Sequence, residues 1–353
     1  MRLIVLVAAG LLVTVLVAAG VTLAVLQLDS RTNTQQVNLR SGVTITEDSA
    51  IVQAATKARP AVVSVITQQQ PVLARGSGYL VTTDGYIVTS IEVVAGASGM
   101  TVLVPGDGKT HAARLVDYDC QTGVAVIKID NVSGLPTLAF ADPNALVQGQ
   151  VLVSVGGPYD GGTVTPGYVS SMHRDVSVAN PNPSAGLLEL SDTIQTSLVI
   201  GSGSAGGPLL NVGGQVVGIS MQGEPSTGPN GFGLNVAEVQ DDVVQILQTG
   251  QLTVAAIGAA TTEVDPEKSI LSGVPVGSQI LAVDKGGVAA GAGLQPGDVI
   301  TELDDVAVDA AHPLALLLRS RFHPGQRVTV TYSRRATSTQ VQLTLTGQHP
   351  SCS

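Results

Sequence analysis

Between Pro60 and Asn235 the chain is a series of short aliphatic and β-branched stretches, each cut off after a few residues by Gly, Asp or Pro. Stretches of that length, bounded by backbone-turning residues, are read as strands. The composition agrees, with 41 glycines, no tryptophan, 3% aromatic and 12% charged residues. Many short strands joined by glycine-rich turns make a barrel or a sandwich, and 353 residues are enough for two globular domains with extensions. The net charge of −10 argues against a nucleic-acid partner, because phosphate binding needs a basic face. The local basic spots, Arg319 with Arg321 and Arg334 with Arg335, read as solvated faces.

Three segments carry more specific information. The first runs from Ile194 to Leu209 as I-Q-T-S-L-V-I-G-S-G-S-A-G-G-P-L. The second runs from Gly76 to Val94 as G-S-G-Y-L-V-T-T-D-G-Y-I-V-T-S-I-E-V-V, and the third from Asp119 to Lys128 as D-C-Q-T-G-V-A-V-I-K. All three resemble the catalytic motifs of the HtrA-type, trypsin-like serine proteases. That resemblance implies a mostly β fold, a double six-stranded β-barrel with the site between the barrels. It places the nucleophilic serine at Ala205, the general-base histidine at Glu92 and the orienting aspartate at Gly123. A methyl group has no proton to lose and cannot become a nucleophile. The three groups act as a unit, so losing the serine alone removes on the order of 10⁶ in kcat. The expectation is a protease fold without an intact triad.

Oxyanion stabilisation would outlast the triad, since it uses backbone N–H groups. The resemblance puts those donors on Gly203 and Ala205, while Gly203, Gly206 and Gly207 can equally be read as turn residues that hold the loop. On the substrate side, Ser197 and Gly201-Ser202 replace the family's Asp and Asn-Pro, so the family's preferences do not carry over. Ser204 falls on the family's asparagine, with its side chain expected to turn away, and Ser202 lies further out. Either would need a base within reach. The histidines, His111, His173, His312, His323 and His349, all lie far from Glu92 in sequence and read as ordinary strand or surface residues.

Asn235 with Glu238 three residues later is a capping-box pattern. Val236, Val239, Val243 and Leu247 then recur at helical spacing up to Gly250, predicting a helix that closes the barrel domain. Further on, Gly286 to Ile300 reads G-G-V-A-A-G-A-G-L-Q-P-G-D-V-I and resembles the core of a PDZ domain of the HtrA-attached subtype. The resemblance implies a carboxylate-binding loop at Ala256-Ile257-Gly258-Ala259. Its peptide pocket would be formed by Ile257, Gly258, Ala259, Leu317 and Leu318, the last two on a helix over 312–322. PDZ domains take peptides as an added edge strand.

From Leu3 to Leu26 the chain runs 24 residues without a charge. About 20 apolar residues span a bilayer, and a cleaved signal has a shorter apolar core. The expected organisation is a transmembrane signal anchor at 1–28, a juxtamembrane linker at 29–49 and a degenerate protease domain at 50–250. A PDZ domain at 251–347 and a tail at 348–353 complete it. The globular part is expected outside the cytoplasm, in the periplasm or at the cell exterior. Cys120 and Cys352 are expected to be separate thiols, and no cofactor or metal site is expected. The linker holds no aromatic residue of the kind the family uses for trimers, and the oligomeric state stays open. The expected partners are peptides or unfolded segments, including C-terminal carboxylates, and a membrane. Three functions compete: an inactive peptide-binding adaptor in quality control, an active serine endopeptidase with relocated groups, and a scaffold working through its PDZ domain alone.

Overall fold

The computed structural model describes residues 10, 14, 17–21, 46–69, 72–106, 108–179, 186–222 and 231–350. The chain divides into two compact units, Met1–Ile45 and Thr46–Ser353. In the first, Gly10, Thr14 and residues 17–21 are helical. The expected membrane anchor otherwise lies outside the described residues, and no helix among the described residues is long and apolar enough to cross a membrane.

The second unit opens with a helix, Thr46–Ala58, and then forms two closed antiparallel barrels. The first comprises β1 (Val62–Gln69), β2 (Val72–Leu80), β3 (Tyr86–Ser90), β4 (Met100–Leu103), β5 (Thr110–Tyr118) and β6 (Val124–Ile129), closed in the order β1-β2-β3-β6-β5-β4. The second comprises β7 (Val151–Val155), β8 (Val164–Ala179), β9 (Leu187–Thr196), β10 (Pro208–Leu210), β11 (Val216–Met221) and β12 (Phe232–Asn235), closed as β10-β11-β12-β9-β8-β7. β-Branched residues suit these strands because their stiff side chains pack on a pleated surface. All six residues of β6 and all six of β11 are buried, so these strands lie inside the packing on both faces.

One apolar cluster runs through both barrels, with Tyr79, Leu80, Ile87 and Ile127 from the first and Val153, Leu190, Ile219 and Leu234 from the second. Each large aliphatic side chain buried there contributes about 1.5–3 kcal/mol relative to exposure. The closing helix spans Val236–Thr249, with the Ala237 N–H donating to Asn235 Oδ1 at 3.2 Å and Gly250 ending it at φ 79°. Its Val239, Val243 and Ile246 join the same cluster. The predicted Leu247 is only partly buried, and Ile246 takes the core position instead.

The segment expected to form a PDZ domain follows. β13 (Val254–Ala256) pairs with the last strand, β20 (Thr346–Gln348). The main sheet runs β14 (Ala259–Val264), β15 (Gly277–Val283), β16 (Val299–Leu303), β18 (Arg327–Arg334) and β19 (Thr337–Thr344), with the short β17 (Val306–Ala307) beside β16. β14 is an edge strand, hydrogen-bonded on one side only. The predicted 312–322 helix is shorter than expected, Leu314–Ser320, because Pro313 is its N-cap and Arg321 its C-cap.

Candidate functional site

The three motif positions converge where the barrels meet. Glu92 sits on a single helical turn, Ile91–Val94, directly after β3. Its Oε1 accepts from Ser90 Oγ at 3.3 Å and from the Gln222 N–H at 3.1 Å, at the end of β11. Burial raises the Glu92 carboxyl from its ordinary 4.5 to about 7, against the smaller lowering effect of these two hydrogen bonds. Glu92, Val93, Ser202, Ala205, Ala74 and Arg75 line a cavity of about 230 Å³. No histidine lines it.

Ala205 is 4% exposed, and its loop is pinned through groups that need no catalytic serine. The Ser77 N–H donates to Ala205 O at 2.7 Å, and Ser77 Oγ donates to Gly203 O at 2.7 Å. Ser220 Oγ donates to Ser204 O at 2.6 Å. As expected for its position, the Ser204 side chain points elsewhere, with Oγ 2.8 Å from Thr163 Oγ1. The expected oxyanion donors differ from expectation in one respect. The Ala205 N–H donates to Gly201 O at 3.2 Å, and the Ser204 N–H to the same oxygen at 2.9 Å. The Gly201 carbonyl thus engages one of the two N–H groups expected to serve as oxyanion donors. Ser202 shares the cavity with Glu92, but the carboxyl's hydrogen bonds go to Ser90 and Gln222.

Gly123 belongs to a tight loop in which the Gly123 N–H donates to Asp119 O and the Asp119 N–H to Val124 O, both at 2.9 Å. The Gly123 carbonyl accepts from the Ile91 N–H at 2.7 Å, tying this loop to the turn that bears Glu92. Its φ is 77°, and a Cβ there would lie 2.7 Å from Leu190 Cδ1 and 3.2 Å from Leu234 Cδ2. The space for an aspartate is filled with aliphatic side chains.

A second cavity, about 190 Å³, lies between β14 and the helix Leu314–Ser320. Of the residues expected there, Ile257, Ala259 and Leu318 line it. Leu317, 2% exposed in the core of this domain, does not line it, whereas Leu314, Ala315 and Leu318 of the same helix do. The Leu314-to-Leu318 spacing of one helical turn was the available signal. Gly258 is the turn of the loop, at φ 69°, with its carbonyl accepting from the Asp284 N–H at 2.9 Å. Gln121 from the Gly123 loop, His349 and Pro350 also line the groove.

Of the basic residues read from sequence as solvated, Arg321 and Arg335 are exposed, while Arg319 and Arg334 are held in ion pairs. Arg319 is nearly buried, its Nη2 paired with both Asp119 and Asp242, its Nη1 donating to Gln121 Oε1 at 3.3 Å. Asp119 is fully buried, and burial raises the Asp242 carboxyl to about 7 even though Arg319 pulls it down. Arg334 grips the buried Asp298, Nε to Oδ1 at 2.6 Å and Nη2 to Oδ2 at 2.7 Å. The expectation of free thiols also fails at Cys120, which is disulfide-bonded. His173, exposed on β8, is paired with Asp192 away from the cleft.

Residues 76–219 match the trypsin-like peptidase domain family and residues 255–345 the PDZ domain family. The Do-like serine protease HtrA of Lactococcus lactis is 33% identical over 280 residues, covering 74% of this chain and 67% of its own length. This chain belongs to the HtrA family. A probable periplasmic DegP-like serine endoprotease of Halomonas elongata is 33% identical over 276 residues, 76% of this chain and 56% of the relative. Several such HtrA-family relatives are longer, and the chain spans a little over half of their length. Among solved structures, the HtrA-type protease AlgW with a decapeptide superposes with a TM-score of 0.70 at 26% identity, covering 85% of this chain and 99% of that one.

Proposed function

We propose that this HtrA-family chain is a catalytically silent member that holds C-terminal peptide segments in its PDZ groove, outside the cytoplasm. The observation that carries the reading is Ala205 at the pinned tip of the nucleophile loop, with Glu92 and Gly123 at the two companion positions. Glu92 is engaged by Ser90 and Gln222, and no histidine lines the cavity, so no described side chain stands ready to activate a serine there.

The groove supports the binding half. The free edge of β14 offers unpaired main-chain groups to an extended peptide. An apolar last side chain would sit among Ile257, Ala259 and Leu318, with its carboxylate at the turn through Gly258. The periplasmic naming of relatives and the AlgW complex with a decapeptide are consistent with this assignment. The role is that of an adaptor in protein quality control, anchored through the apolar N-terminal segment.

The test is two incubations of the purified protein. Unfolded casein should remain intact over the protease-free blank. A peptide with a free apolar C-terminus should bind, and its amidated form should bind more weakly. Casein turnover that disappears on Ser202→Ala would establish an active enzyme instead.

A further inference from the structure

We propose that the first barrel supplies a residue to the peptide groove, with Gln121 donating its side-chain amide to the terminal carboxylate of a bound peptide. The proposal rests on the reading of the groove as a peptide site. It adds to that site a contact from outside the PDZ domain.

The two ends of the groove can be told apart. The Glu263 carboxyl, near the end of β14, accepts from the Leu314 N–H at the start of the groove helix. Further along the helix, Leu318 and Arg319 line one cavity with Ile257 and Ala259. The helix thus runs from the far end of β14 back toward the turn through Gly258. An extended peptide pairs along the free edge of β14, and with its carboxylate at that turn its last residue lies at the Arg319 end. Gln121 lines the same cavity.

Its neighbours place Gln121. It is exposed, on the loop between β5 and β6, and its backbone N–H donates to Asp119 Oδ1 at 2.8 Å. Its Oε1 accepts from Arg319 Nη1 at 3.3 Å. A guanidinium has donors only, so the amide atom turned toward Arg319 is the oxygen, and the NH2 group is left for another acceptor. Among the described residues that NH2 group has no hydrogen-bond partner.

The other polar side chains at that end are less suited. Arg319 Nη2 is paired with both Asp119 and Asp242. His349 has Nδ1 2.8 Å from Pro350 O and Nε2 2.8 Å from Asp117 Oδ1. Gln348 lines the cavity but is exposed, and nothing among the described residues holds its amide. A donor already oriented loses less freedom on binding, which favours Gln121 over Gln348. A hydrogen bond to a carboxylate is charge-assisted and stronger than one between neutral groups. Arg319 acts here as a positioning residue, holding the amide that meets the ligand.

The experiment titrates the full chain with a fluorescent decapeptide ending in Leu-Val, once with a free carboxylate and once amidated, followed by anisotropy. Gln121→Glu sets a carboxylate against a carboxylate, and should weaken the free peptide about ten-fold or more while sparing the amidated one. Gln121→Ala should weaken the free peptide by about five-fold, again without effect on the amidated form. A purely structural role for Gln121, acting through Arg319, would instead weaken both peptides alike, and that result overturns the proposal. If the wild type binds neither peptide, the reading of the groove fails and the Gln121 contact with it. If the wild type prefers the free peptide and both Gln121 variants keep that preference, the groove stands and the Gln121 contact alone is refuted.

Discussion

On the proposed reading, the packing at Gly123 and Glu92, as well as the sequence, stands against a catalytic triad. Ala205→Ser gives a hydroxyl with no base to take its proton, so casein assays of that variant should stay at the blank. Adding Glu92→His and Gly123→Asp restores the right residue types but meets Leu190 Cδ1 2.7 Å from the new Cβ, at a φ of 77°. Overpacking and backbone strain of that kind each cost about 1–3 kcal/mol, so the triple variant should unfold at lower denaturant than the wild type and remain inactive. Glu92 makes a separate, pH-dependent prediction. Its carboxyl is raised from 4.5 to about 7, so between those values the folded state binds more protons than the unfolded one. Stability therefore falls as pH rises through that window and the penalty persists above it. Glu92→Gln should gain on the order of 2–3 kcal/mol over wild type at pH 8, with the gain vanishing near pH 5, read from urea midpoints. Equal pH profiles for the two proteins would refute the buried-carboxyl assignment.

Among the elements, the proposed peptide site divides its contacts between the groove helix and β14. Amidating a bound peptide removes the charge that meets the Ile257–Ala259 turn and should weaken binding by about 1–3 kcal/mol by titration calorimetry, as for loss of charge-assisted hydrogen bonds. Ala315→Asp should weaken binding with little change in fold, because Ala315 lines the groove and is exposed, whereas Leu317 and Leu318 both belong to the core cluster. The strands and the closing helix were legible in the sequence, since alternation, helical spacing and caps are local signals. Asn235, Val239, Val243 and Gly250 all act as read. The groove face of the helix was not legible to the same degree, because Leu314, Leu317 and Leu318 are all buried in the core and only the path of the helix decides which of them also border the groove. The Gly201 carbonyl that engages the Ala205 N–H was also invisible, since it depends on the path of the loop rather than on its composition.

For the whole molecule, the joint between the first barrel, the closing helix and the PDZ domain is electrostatic. Arg319 neutralises two carboxylates that come from distant parts of the chain, which is why its sequence neighbourhood suggested an exposed basic face. Removing one partner of a buried ionic cluster leaves uncompensated charge and costs about 3–5 kcal/mol. Arg319→Met should lower the urea midpoint accordingly, and adding Asp119→Asn with Asp242→Asn should recover most of the loss. Additive losses across that series would show that the three groups do not share one cluster. The same cluster sets an order of events during synthesis. The ribosome adds Arg319 77 residues after Asp242, roughly 4–15 s later at 5–20 residues per second. Until then two acids face each other without a counter-ion, and the barrels cannot complete their packing at that seam. The protease-like half of the chain is therefore made first and finished last.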